Sequence, residues 1–301
     1  MAGFGLVPPH GPKDPEFPKK KPTPHTTAPS MYEIRSAGSK GLGVFANAII
    51  PRGTRIFSER PLLAIRQNQD AGHVFAASRL ISDQDRSILM SLSHHASKES
   101  SVIRWSQALK YTISQTASAI LAKLGNPGGG EVAFPGFGLR DHVTVLSIFR
   151  SNSFNLGSGS VFRQALFPSI SRINHSCVPN AQGNFHDKMG KFNVHATRDI
   201  EVDEELTLNY LHEHGAVRES RQKRLLDSYG FGCNCPACDL KLDRGRNGEA
   251  GRVQLQKVLG EYAEGVAQSG VESPKKELEM IKQLITLLEG DGIAGRELST
   301  L

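Results

Sequence analysis

The chain has 301 residues, of which 38% are hydrophobic and 22% charged, enough apolar material for one or two domains with a real core. Four cysteines are too few for a disulfide-rich secreted scaffold, and no apolar run approaches the length of a membrane span. The N-terminus has no basic stretch leading into an apolar one, so the chain is expected to be intracellular, and its net charge of +6 admits acidic partners without naming nucleic acid.

Residues 1–30 hold eight prolines and the run Lys19, Lys20, Lys21, and almost no aliphatic pattern. Such a segment buries too little apolar surface to offset the entropy of ordering, so a disordered tail is expected, either solubilising or a nuclear localisation signal. From Met31 the texture changes: Tyr32 to Arg35 alternates, and a glycine turn from Gly38 to Gly43 leads into Val44-Phe45-Ala46. Thr54 to Glu59 and Leu62 to Ile65 are further short strands, separated by turn signals. Residues 83–124 read as helix, with Asp83 as N-cap and an apolar stripe of Val102, Trp105, Leu109, Ile113, Ala117, Ile120 and Leu124, ended by the glycine run at 125–130.

A shorter helix is expected from His142 to Phe149. Strand texture returns between Leu166 and Tyr210, best at Lys191–His195 and Glu205–Tyr210. Two helices are expected after the last cysteine, over 252–268 and 274–289, the second with Ser273 as N-cap, Pro274 at N1 and Gly290 as its stop. His94-His95 and His212-x-His214 have no third ligand nearby and read as solvated. The basic run Arg218, Arg221, Lys223, Arg224 reads as the solvent face of a helix.

Cys233, Cys235 and Cys238 form a C-x-C-x-x-C cluster, and Cys177 is the only other cysteine. Four thiolates complete one tetrahedral zinc site, structural and closed to water. A reduced thiol cluster with Cys177 merely buried is the alternative.

Ser171 to Asn180 reads S-R-I-N-H-S-C-V-P-N, a poor helix and a poor strand, and Asp203 to Tyr210 reads D-E-E-L-T-L-N-Y. With the glycine turn before them and the cysteine cluster after them, these blocks resemble the SET-domain protein lysine methyltransferases. The likeness covers roughly 31–66 and 150–240, and is nearest the branch that splits SET with a MYND zinc finger. That finger needs seven or eight Cys/His ligands, and 67–149 contains no cysteine, so it is absent here.

The resemblance implies an α+β fold of small curved sheets with a pseudoknot, carrying a helical insert, a post-SET zinc loop and C-terminal helices. The expected division is 1–30 tail, 31–66 first SET part, 67–149 insert, 150–212 second SET part, 213–242 post-SET segment and 243–301 helical extension. It also implies S-adenosylmethionine as cofactor, held by Lys40, Gly41, Leu42, Gly43, Asn152, Asn174, His175, Tyr210 and Phe231, with Phe231 stacked on the adenine. Gly41 and Gly43 taken alone would be an ordinary hairpin turn, His175 a core histidine and Tyr229 packing against the zinc loop.

Phe154 and Tyr229 would wall the substrate-lysine channel and Tyr210 would be the catalytic residue. Neutralising a lysine of pKa near 10.4 at neutral pH costs about 4 kcal/mol, and an apolar channel beside a sulfonium lowers that pKa. Tyrosine, with its pKa near 10, is a poor base, so Tyr210 is expected to position and stabilise charge. Expected partners are a histone tail or another protein, with no membrane or nucleic-acid contact, for a monomer in nucleus or cytoplasm. The alternative is a non-catalytic SET-like, zinc-containing interaction module.

Overall fold

The computed structural model describes residues 30–95, 102–110, 113, 139–157, 159–211, 215–269 and 274–290. The expected tail, the glycine run at 125–130, the later part of the apolar stripe and the His212/His214 pair lie outside them.

Strands β1 (Tyr32–Ser36) and β2 (Leu42–Ala46) form a hairpin around a 3-10 turn at Gly38–Lys40. Gly38 and Gly41 take φ of +65° and +83°, where side chains are strained, so the turn needs both glycines. β2 then pairs antiparallel with β10 (Glu205–Leu208), and β10 pairs in parallel with β7 (Asn174–His175) in the register Thr207↔Asn174 and Leu208↔His175. The sheet order β1-β2-β10-β7 therefore brings together the glycine turn, the N-H-S-C block and the E-E-L-T block.

A second sheet has β3 (Arg55–Glu59), β9 (Lys191–Ala196) and β8 (Ala181–His186), in that order. A third has β4 (Leu63–Arg66), β6 (Phe162–Leu166) and β5 (Ser153–Asn155). Their apolar faces share one core in which Val44, Phe167, Ile173, Val194 and Leu206 are fully buried. Phe167 centres it, with ring centroids 5.9 Å from Phe154 and 5.0 Å from Phe192.

The helices that follow β4 open with α1 (Ala71–Ser78), which sequence periodicity did not pick out. It is started by an Asp70–His73 capping box. α2 (Asp83–Met90) is capped by Ser82, whose Oγ accepts from Asp85 N at 3.1 Å, so Asp83 is the first helical residue rather than the cap. α3 spans 102–110. Its expected stripe faces outward: Val102, Trp105 and Leu109 are exposed, and Ala108 with Arg104 turns inward. Periodicity identifies a stripe, not what it meets, and the small Ala108 is what allows the approach to the core. α4 (Leu139–Asn152) buries Val145, Leu146, Ile148 and Phe149 against β4 and α1.

The chain ends with α5 (Arg218–Tyr229), α6 (Asp243–Ser269) and α7 (Pro274–Gly290). α6 starts well before the expected residue 252, because glycines 245, 248 and 251 depress helix propensity without breaking this helix. Two of them mark close packing. A Cβ at Gly245 would lie 2.1 Å from the Asp239 carbonyl, and one at Gly251 would lie 2.9 Å from Leu287 of α7. Among the described residues no helix is long and apolar enough to cross a membrane.

Candidate functional site

Cys177 follows β7, while Cys233, Cys235 and Cys238 lie in the loop after α5; all four are buried and free, with ligand atoms within 4.8 Å of one another. Cys177 Sγ is 3.6 Å from Cys238 Sγ and 4.0 Å from Cys233 Sγ. A disulfide needs about 2.05 Å, whereas a tetrahedron with Zn–S arms of about 2.3 Å has edges near 3.8 Å. Four buried thiolates this close together would repel one another, so they need a cation to offset their charge. The donor set fits a structural zinc ion.

Arg221 contradicts its expected place on a solvent face: it is 2% exposed. Its guanidinium donates to Cys238 Sγ at 3.6 Å, to the carbonyls of Ala216 and Ala237, and lies 3.7 Å from Glu249 of α6. A zinc tetrathiolate carries two net negative charges, and this buried cation offsets one of them. Gln222 brackets Cys233 from the other side, donating to its carbonyl at 2.6 Å and accepting from its N–H at 2.8 Å. Both residues were missed because a charged or amide side chain on an amphipathic helix gives no sign of which way it faces.

His175 sits between the cluster and Tyr210. Its Nδ1 accepts from the Tyr210 backbone N–H at 3.0 Å, so the neutral ring carries its proton on Nε2, which points at Cys177 Sγ, 3.4 Å away. Burial holds the imidazole neutral, its pKa lowered to about 4. The side chain is thus committed to the protein.

Tyr210 lies two residues beyond β10 rather than within a strand that runs to it. Its hydroxyl donates to the Ile173 carbonyl at 2.7 Å, and burial, with Tyr229 and Glu205 nearby, raises its pKa well above the usual phenol range. It stays protonated and cannot act as a general base at neutral pH. Tyr229 and Phe231 complete the aromatic group, with centroids 5.0 and 6.5 Å from Tyr210, and both pack against the cysteine cluster.

Glu205 ties the glycine turn to the N-H-S-C block. Lys40 Nζ pairs with one carboxylate oxygen at 2.6 Å, while Asn174 Nδ2 donates to the other at 2.8 Å and to the Leu42 carbonyl at 3.1 Å. A Cβ at Gly43 would lie 2.8 Å from Glu205 Oε1 and 3.0 Å from Asn174 Nδ2, which explains the glycine there. Asn180, the last residue of the block, binds Thr207 N at 2.8 Å through its Oδ1 and the Glu205 carbonyl at 2.9 Å through its Nδ2. Glu59 caps the 3-10 turn Ile170–Arg172 from below, accepting from the N–H groups of Ser169 and Ile170.

Asn152, at the end of α4, donates to the carbonyls of Ser93 and Ile148 at 2.7 and 2.8 Å, so its amide ties α4 to the segment that follows α2. His95 is not solvated: its ring lies against Gly230, where a Cβ would clash with Nδ1, and its backbone N–H donates to Ser151 Oγ at 3.1 Å. His94 is exposed, as expected.

A cleft of about 760 Å³ is lined by Asn152, Phe154, Tyr210 and Tyr229 among others, which brings the expected channel residues to one place. Lys40 and His175 line a second cavity of about 410 Å³ instead, while Gly41, Leu42, Gly43, Asn174 and Phe231 line neither.

A small-sheet α+β fold whose strand order joins the glycine turn, the N-H-S-C block and the E-E-L-T block beside a four-cysteine cluster defines the class. The SET-domain family model matches residues 41–211, more than half of the chain, and the protein belongs to the SET-domain family. It is 26% identical over 266 residues to histone-lysine N-methyltransferase set5 of Schizosaccharomyces pombe, spanning 88% of this chain and 67% of that one. It is 41% identical over 96 residues to human histone-lysine N-methyltransferase SMYD3, and 40% over 80 residues to mouse protein-lysine N-trimethyltransferase SMYD5. These last matches span 32% and 26% of this chain and about a fifth of each relative, 22% and 19%. Among solved structures, the SET domain of LSMT bound to lysine and AdoHcy is similar with a TM-score of 0.44 and 17% identity, over 69% of this chain and 54% of that one.

Proposed function

We propose that the protein is an S-adenosylmethionine-dependent protein-lysine N-methyltransferase with one structural zinc ion. The observation that carries this is Tyr210, fixed at its backbone by His175 and at its hydroxyl by the Ile173 carbonyl, on the wall of a cleft shared with Phe154 and Tyr229.

Bound S-adenosylmethionine supplies an electrophilic methyl group, and the chain's own residues do the rest. Phe154 and Tyr229 give a substrate lysine an apolar sleeve that favours its neutral, nucleophilic form. The Tyr210 hydroxyl, permanently protonated, orients the amine rather than accepting its proton. Lys40, Gly41, Leu42, Gly43, Asn174 and Phe231 are assigned to cofactor binding, Asn174 and Lys40 through the Glu205 clasp that sets the turn. Asn152 and His175 are assigned to it through their backbone, their side chains being engaged elsewhere. Cys177, Cys233, Cys235 and Cys238 would hold zinc, which fastens the Tyr229–Phe231 segment beside Tyr210.

Residues 31–66 and 150–212 form the SET parts in this reading, around the 67–149 insert and ahead of the 213–242 post-SET segment and the 243–301 extension. The substrate is a histone or another protein of the nucleus or cytoplasm. Calorimetric titration with S-adenosylmethionine, followed by labelled methyl transfer to a protein extract, tests it. Saturable binding and label on lysine are expected, and absence of both would leave the interaction-module reading.

A further inference from the structure

His175 is placed by strand register before any side-chain contact is made. β7 and β10 run in parallel with Leu208 opposite His175, and the Ser176 N–H donates to the Leu208 carbonyl at 3.0 Å. Beyond that pair the two strands end: one segment goes on to Cys177 and the cysteine cluster, the other to Tyr210 and the cleft. The buried His175 ring fills the fork, its centroid 5.2 Å from Tyr210 and 6.1 Å from Phe231. A histidine that only filled the core could satisfy its nitrogens on any polar groups nearby. Here Nδ1 takes the Tyr210 backbone N–H at 3.0 Å and Nε2 faces Cys177 Sγ at 3.4 Å. Because an N–H occupies Nδ1, the single proton of the neutral ring sits on Nε2 and is donated to the sulfur.

We infer that His175 is a positioning residue with two separable duties: its Nε2–H steadies Cys177 as a metal ligand, and its Nδ1 fixes the backbone from which Tyr210 enters the cleft. This rests on the methyltransferase reading above and adds to it how the cysteine cluster reaches the tyrosine. An N–H donated to a metal-bound thiolate draws off part of its negative charge and holds the ligand in one orientation. Arg221 does the same for Cys238, at 3.6 Å. The Tyr210 hydroxyl is held separately, by the Ile173 carbonyl, so loss of the Nδ1 bond would leave the residue fastened at one end only. A shift on the order of 1 Å in a positioning group costs about a hundredfold in rate.

Asparagine and glutamine separate the two duties, because the amide of asparagine sits where Nδ1 is and that of glutamine where Nε2 is. His175→Asn keeps an acceptor for the Tyr210 N–H and removes the donor to Cys177; His175→Gln does the reverse. Both keep the backbone assigned to the cofactor, so S-adenosylmethionine affinity, read by calorimetry, should change only a few-fold in each. In the full, zinc-loaded chain, His175→Asn should release zinc to a colorimetric chelator about tenfold more readily, and His175→Gln should match the wild type. The thiolate-to-metal absorption band of the cobalt-substituted protein should shift in His175→Asn alone. With the five tyrosines labelled for NMR, the Tyr210 amide should exchange at least about fivefold faster in His175→Gln and at the wild-type rate in His175→Asn. Methyl transfer to a protein extract should follow the amide, slower by about tenfold or more in His175→Gln and near wild type in His175→Asn. Equal losses in the two variants, wild-type zinc release in His175→Asn, a wild-type Tyr210 amide in His175→Gln, or unfolding of both by circular dichroism overturns the inference and leaves the ring as core packing. The metal and amide readouts need no cofactor, so failure of the wild type to bind S-adenosylmethionine or to transfer label counts against the methyltransferase reading itself.

Discussion

Tyr210 is anchored at both ends, so removing its hydroxyl alone is a clean test of what that hydroxyl does. In Tyr210→Phe the ring keeps its contacts with His175 and Tyr229, and the loss to the fold is one hydrogen bond, worth about 1 kcal/mol. Methyl transfer should fall by about a hundredfold or more, while S-adenosylmethionine affinity, read by calorimetry, changes only a few-fold. Retention of near wild-type turnover would remove the positioning role. Arg221 makes a second case at this scale. Arg221→Met leaves the thiolate charge uncompensated and Glu249 without its buried partner, so zinc should be released to a colorimetric chelator about ten to a hundred times more readily. Gly43→Ala drives a methyl into the Glu205–Asn174 pair; a loss of about 1–3 kcal/mol in stability and weaker cofactor binding are expected from urea unfolding and calorimetry.

Among the elements, α4 carries a titratable group into the insert's core. His142 is fully buried and lies 4.8 Å, ring to ring, from Phe75; burial, and then Arg79, hold its pKa below the ordinary 6.5. The unfolded chain therefore binds a proton that the folded chain refuses, and stability falls as pH drops below about 6.5. Above that value His142 contributes no pH dependence. His142→Phe keeps the ring stack, so its urea midpoint should fall less than the wild-type one between pH 7.5 and 5.5; equal losses would clear His142.

The same element shows what sequence could tell. Its existence between His142 and Phe149 was legible from apolar spacing, but its end at Asn152, which fastens Ser93, depends on a contact across 59 residues. The three motif blocks and the cysteine set were readable because chemistry fixes their residue types. Arg221, Gln222, Glu59 and His95 were not, since what each one touches is decided by packing between distant segments. The outward stripe of α3 failed for the same reason.

For the molecule as a whole, the cysteine cluster is the tie between the sheet that bears the N-H-S-C block and the loop that bears Phe231. It closes a loop from Cys177 to Cys238, and a cross-link over a loop of that size stabilises by about 4 kcal/mol in the chain-entropy picture. Cys233, Cys235 and Cys238 can still share an ion when Cys177 is gone, because they lie in one short segment. Cys177→Ser therefore separates two roles that chelation removes together: local order of the loop, and its attachment to His175 and Tyr210. After chelation, helix content at α5 and S-adenosylmethionine binding should both decline. In Cys177→Ser, about one equivalent of zinc should remain at reduced affinity, while cofactor binding drops at least about tenfold and the Tm falls. Elemental analysis, calorimetry and circular dichroism on the same sample decide it. Full cofactor affinity in Cys177→Ser would mean that Tyr229 and Phe231 hold their place through their packing on Tyr210 and His175 alone, without the metal tie.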